Sequence, residues 1–148
     1  MLTYMQLVQG DHVLDDALQR FDFERCHAWL TGAYWSPGIT RAEVERGFTH
    51  STLVVGAYSG PRQDGCLRLV SDLTRFAYVM DVFVDPAQRG RGLGRALVRF
   101  ALDHPSLALV QGWILATNDA HDVYRPLGFD ELPHPERWMR LGRPRAWL

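Results

Sequence analysis

Three features of this chain could do chemistry together. They are a glycine-and-arginine run, Arg89-Gly90-Arg91-Gly92-Leu93-Gly94-Arg95, an acid upstream at Asp81, and a phenol at Tyr124. Glycines at alternate positions let the backbone curl and let a ligand come close to the main chain. Where such a run enters a helix, the first amide N–H groups have no intrahelical acceptor. They sit at the positive end of the helix dipole, which suits an anion and above all a phosphate. Hydrogen bonds to charged groups are worth about 1.5–3 kcal/mol each, so three or four amides plus an arginine would hold a diphosphate. The dinucleotide fingerprint G-x-G-x-x-G fails at Arg95 when counted from Gly90 and at Leu97 when counted from Gly92. The P-loop pattern requires a lysine, and this chain has none. What remains is R-x-x-G-x-G; a tight surface turn is the bland alternative.

The run must be held between two regular elements. Residues 77–84 are β-branched and aromatic, as strands prefer, and Asp85-Pro86 ends them. Leu93, Ala96, Leu97, Phe100 and Ala101 then recur with helical spacing until His104-Pro105. Upstream, residues 3–8 read as a first strand, while 13–21 are ambiguous. Asp22 caps a helix over 23–30 that Gly32 stops. An aromatic loop, Tyr34-Trp35-Ser36-Pro37-Gly38, leads to a capping box at Thr40 and Glu43, and Gly47 closes that helix. Residues 51–58 and 66–70 read as strands around a turn at 59–65. Downstream, residues 111–117 read as a strand, 119–125 as a short helix, and 129–131 and 138–141 as final strands. This order gives a mixed sheet with helices on its faces.

The 148 residues, 47% of them apolar, suit one domain with a real core. A net charge of −1 offers no electrostatic case for nucleic acid or an anionic membrane. No apolar run approaches the ~20 residues of a membrane span, and the N-terminus has no signal pattern, so a cytoplasmic location is expected. Cys26 and Cys66 are far apart in sequence and read as buried thiols of a reducing compartment. Asp119, His121 and Asp122 fit no tetrahedral metal set, so no metal is expected. His27, His121 and His134 read more readily as surface residues than as a base.

The Arg89 loop and the segment Tyr124-Arg125-Pro126-Leu127-Gly128-Phe129, in this order and spacing, resemble the GNAT superfamily of acetyl-CoA-dependent N-acetyltransferases. The resemblance covers nearly the whole chain. It implies an α/β (α+β) fold with a mixed, mostly antiparallel central sheet, helices on both faces and a splayed central strand that binds acetyl-CoA. Carried over, Val82, Phe83 and Val84 would pair with the pantetheine arm, and a nearby N–H would polarise the thioester carbonyl. The amides of the loop, from Arg89 through Gly90, Arg91, Gly92, Leu93 and Gly94 to Arg95, would take the diphosphate. Tyr124 would be the acid toward the departing sulfur. A phenol of pKa about 10 is protonated at neutral pH and can donate to a thiolate. The family often has asparagine seven residues before that tyrosine; here Thr117 stands there and Asn118 falls one place late. Asn118 is either a cofactor contact or a helix cap.

Asp81 stands where many members carry an acid near the acceptor amine. It would bind or deprotonate that amine, or it partners an arginine. Glu24 on the first helix is a second candidate acid, and reads more readily as solvent-facing. Trp29, Tyr34, Trp35 and Trp138 would wall the acceptor pocket, or pack as core. The implied reaction is direct transfer to a small-molecule or peptide amine in a ternary complex, because neither cysteine has a histidine and acid arranged for a covalent step. A longer acyl-CoA, a non-amine acceptor or a non-catalytic acyl-CoA sensor are the alternatives. Family members often form homodimers.

Overall fold

The computed structural model describes residues 2–144. Its frame is one six-stranded sheet of β1 (Gln6–Gln9), β2 (His12–Asp15), β3 (Leu53–Ser59), β4 (Arg62–Ser71), β5 (Phe76–Val84) and β6 (Gly112–Ile114), paired in that order. Neighbours are antiparallel except β5 and β6, which are parallel. A parallel pair needs a crossover, and α3 (Leu93–Leu102) supplies it. Helices α1 (Phe23–Leu30) and α2 (Arg41–Thr49) come before β3, and the single turn α4 (His121–Tyr124) follows β6.

Strand alternation divides the core into two layers. Leu53, Val55 and Ala57 of β3 pack with Leu93, Leu97, Val98, Phe100 and Ala101 of α3 on one face. Val54 and Cys66 pack with Cys26 and Leu30 of α1 and Val44 and Phe48 of α2 on the other. The caps form as their sequences require: the Asp22 carboxylate accepts from Arg25 N at 3.0 Å, and Thr40 and Glu43 make the reciprocal capping box. The two free thiols, Cys26 and Cys66, are both buried inside the second layer.

Several boundaries differ from the sequence expectation. The first strand is a hairpin, β1 and β2, turning at Gly10 with φ +58°. Its outer strand is exposed throughout, so it lacks the apolar alternation that marks a strand. The β3–β4 turn is only Gly60-Pro61, and β4 begins at Arg62. Gln63 and Asp64 look like turn residues by type but are fully buried. Asp64 accepts from Arg62 at 2.7 and 2.9 Å and from the His12 ring at 2.8 Å, and Asp22 N donates to the Gln63 side-chain Oε1 at 2.7 Å. Helix α2 runs through Gly47 to Thr49. The strand expected over 111–117 is only Gly112–Ile114. Residues 129–131 and 138–141 form no strand, and the described sheet ends at β6.

Candidate active site

Strand β5 organises the site. It pairs with β6 only over Phe76, Ala77 and Tyr78. Beyond Tyr78 its β6-facing edge has no strand partner among the described residues, so the main chain of Val82, Phe83 and Val84 borders a gap. On the β4 side the register slips: Met80 opposes Arg68 and Phe83 opposes Cys66, which leaves Asp81 and Val82 against Leu67. This is a β-bulge, which bends the strand and widens the gap. Asp81 sits in it at φ +51°, a left-handed conformation that costs a non-glycine residue roughly 1–2 kcal/mol. Three bonds hold it there. Trp35 Nε1 donates to Asp81 Oδ1 at 2.8 Å, Arg68 Nε donates to Oδ2 at 2.5 Å, and the Cys66 thiol donates to the Asp81 carbonyl at 3.4 Å.

The glycine loop leaves the end of β5 and enters α3. Gly90 and Gly92 have φ +80° and +79°, so both need glycine for conformation alone. Gly94 differs: a Cβ there would stand 3.7 Å from Val84 Cγ2, an ordinary contact. The first intrahelical bond runs from Ala96 N to Gly92 O at 3.0 Å. The amides of Leu93, Gly94 and Arg95 therefore have no acceptor among the described residues. Arg89 folds back, with Nε on Val84 O at 3.1 Å and its guanidinium 5.1 Å from the Phe83 ring centre. The turn into the loop is pinned by Asp85, which accepts from Ala87 N at 2.9 Å, Arg25 at 2.9 Å and Trp29 Nε1 at 3.3 Å. Trp29 in turn stacks on Phe83 at 5.5 Å.

These elements enclose a cavity of about 1620 Å³. It is lined by Val79 to Val84, by Arg89, Gly90 and Gly92 to Arg95, by the 32–37 loop, and by Leu115 to Thr117 and Tyr124. Burial, with Tyr34 and Asp119 nearby, pushes the Tyr124 phenol up to about 12. Its hydroxyl has no hydrogen-bond partner among the described residues, so it keeps a proton it can give. Tyr34 lines the cavity and its hydroxyl accepts from Asn118 N at 2.9 Å. Its ring meets Trp35 edge-on at 4.9 Å. The aromatic loop after α1 thus touches both the Asp81 side and the segment leading to Tyr124.

Not every residue expected from the sequence lies here. Glu24 is on the surface of α1, 77% exposed and paired with Arg41 at 2.6 Å, and does not line the cavity. Arg91 lies outside the lining, and Asn118 contributes its amide to Tyr34 rather than a side chain to the cavity. Trp138 is exposed and does not line the cavity. The His27 ring donates to Ile39 O, and His134 faces Glu136. Among the described residues no group of three or more His, Cys, Asp or Glu is placed to hold a metal. Sequence reasoning missed Arg68, which lines the cavity and pairs with Asp81. The available signal was a charge inside the apolar strand Cys66-Leu67-Arg68-Leu69-Val70.

A strand with an open edge, a bulge and a glycine loop opening a helix thus share one cavity with the Tyr124 phenol. A family model described as acetyltransferase (GNAT) domain matches residues 50–131. The chain is 30% identical over 144 residues to the N-alpha-acetyltransferase RimI of Mycobacterium tuberculosis, covering 88% of this chain and 87% of that one. It also resembles the crystal structure of a putative GNAT-family acetyltransferase from Xanthomonas campestris, with TM-score 0.86, 34% identity and coverage of 92% and 96%. A putative acetyltransferase from Deinococcus radiodurans, 22% identical over 94% of each chain with TM-score 0.70, shares the fold. The protein belongs to the GNAT acetyltransferase family.

Proposed function

We propose that the protein transfers an acetyl group from acetyl-CoA to a primary amine by direct attack in a ternary complex. The observation that carries this reading is that one cavity joins an unpaired strand edge, unpaired helix amides and a protonated phenol. Acetyl-CoA supplies an activated thioester and a diphosphate. The edge at Val82, Phe83 and Val84 would hold the pantetheine arm by main-chain bonds, with Arg89 released from the Val84 carbonyl. The Leu93, Gly94 and Arg95 amides, with Arg89 and Arg95, would hold the diphosphate. An N–H at the bulge would polarise the thioester carbonyl.

The new C–N bond forms as the C–S bond breaks, and Tyr124 gives its proton to the departing sulfur. Asp81 holds the acceptor ammonium rather than taking its proton, because both its oxygens already accept from Trp35 and Arg68. One ammonium proton leaves through water before attack, and the proton that nitrogen sheds after attack returns to the Tyr124 oxygen. The relative named for N-alpha-acetylation supports an amine as acceptor. Two assays test the reading. Acetyl-CoA at a hundredfold its dissociation constant should stabilise the protein by about 2.7 kcal/mol. Amines should release free thiol in its presence. Binding without thiol release from any amine would make the protein an acyl-CoA sensor and overturn the proposal.

A further inference from the structure

A second cleft, of about 410 Å³, adjoins the main cavity and shares two lining residues with it. Glu43 and Arg68 line both spaces, and Arg46, Gly47, His50 and Val70 complete the second. Arg68 is the hinge between them. Its Nε holds Asp81 on the cavity side, its Nη1 reaches Ser51 Oγ at only 3.4 Å, and its guanidinium lies against the slot that Gly47 leaves on α2. The remaining donors of that fork stay available.

Arg46 stands beside it without a hydrogen-bond or ion-pair acceptor among the described residues. Arg41, one turn earlier on the same helix, is paired with both Glu24 and Glu45. The His50 ring donates from Nδ1 to the Arg46 carbonyl at 2.9 Å, which leaves Nε2 as its other polar atom. The acid that shares the cleft, Glu43, accepts from Thr40 N and Thr40 Oγ1 at the positive end of α2, where its charge is already offset. A cationic fork and a second arginine thus border a small cleft just beyond the carboxylate that faces the acceptor.

We propose that the acceptor is a small amine bearing an anionic group, a carboxylate or a phosphate, which Arg46 and Arg68 hold while its ammonium lies beside Asp81. This rests on the amine-acetylation reading and names its substrate class. One guanidinium separates the two charges, so amine and anion must be close together on the acceptor. Arginine forks recognise both anions bidentately, so geometry alone does not rank them.

The test compares 2-aminoethyl phosphate and β-alanine with ethanolamine in acetyl-CoA-dependent thiol release. It uses the wild type, Arg46→Gln, and Arg99→Gln, a charge removal on α3 outside both spaces. At least one anionic amine should exceed ethanolamine in kcat/KM by about tenfold in wild type and Arg99→Gln, and by less than about threefold in Arg46→Gln. Which anion leads then identifies the source. Equal turnover of charged and neutral amines, or the same loss in Arg99→Gln, overturns the proposal. If no amine turns over, calorimetric titration of 2-aminoethyl phosphate and β-alanine into the protein decides. Saturable binding that Arg46→Gln weakens about tenfold supports the anion site even where the transfer reading has failed, and no binding overturns it.

Discussion

A phenol pushed up to about 12 by burial stays protonated across the whole working range of an enzyme. Tyr124→Phe keeps the ring and its edge contact with Phe129 while removing only the proton. It should lower kcat by about 10²- to 10⁴-fold, the range for a lost general acid, and leave the acetyl-CoA dissociation constant unchanged. A fall in affinity equal to the fall in kcat/KM would assign Tyr124 to binding instead. With Asp81 committed to Trp35 and Arg68, the acid limb of kcat/KM should follow the pKa of the acceptor amine and move when the acceptor is changed. A limb fixed near carboxylate values for every acceptor would make Asp81 the base. Arg68→Met strands the Asp81 carboxylate in a site where its side chain is only 9% exposed. Losing one partner of a largely buried pair should destabilise by about 3 kcal/mol in urea titration, the lower end of the range because the pair keeps some solvent.

The entrance of α3 is the element on which ligand binding depends, and its glycines separate two effects. Gly92→Ala forces a side chain into φ +79°, costing about 1 kcal/mol of stability whether or not a ligand binds. Gly94→Ala meets only an ordinary contact with Val84 and improves helix propensity, so stability should hold or rise slightly. If the diphosphate lies against that turn, acetyl-CoA affinity should nonetheless drop, read by calorimetry; unchanged affinity would move the ligand off it. The loop and α3 were legible because their signal is local: glycine spacing, Asp85-Pro86 and a helical apolar stripe lie within one stretch of chain. The bulge at Asp81 was not, because its cause is a slipped pairing with Cys66 and Arg68 on another strand. Gln63 and Asp64 escaped for the same reason: their partners His12 and Asp22 come from elements far away in sequence. Glu24 faces solvent, one of its two sequence readings, while Trp138 lies outside the cavity lining; residue type alone does not tell which face of an element meets the cavity. The two final strands failed because apolar residues near prolines look like strand without having a ladder to join.

Across the molecule, two helix layers clamp one sheet, and ionisable groups tie its parts together. Burial raises Tyr58 and Tyr124 above the usual phenol value of 10.0, so the folded state holds those protons more tightly than the unfolded chain. The stability they contribute is complete below about pH 10 and should be lost as pH rises through the folded values. Asp64 behaves oppositely. Burial alone would raise it, but hydrogen bonds from Arg62 and His12 outweigh that and hold it below 3.8. Its contribution is present above that value and should fade as pH falls through the lowered one. Urea midpoints measured from pH 2 to 12 should therefore form a plateau that declines at both ends; no decline above pH 10 would contradict the phenol assignment.

The account stands on where main-chain donors go when acetyl-CoA arrives, and amide hydrogen exchange reads them directly. At saturating acetyl-CoA the amides of Leu93, Gly94 and Arg95, and those on the open edge of β5 near Val82 to Val84, should slow their exchange together. If those amides exchange as fast as in the free protein while another surface becomes protected, the cofactor binds elsewhere and the reading is wrong.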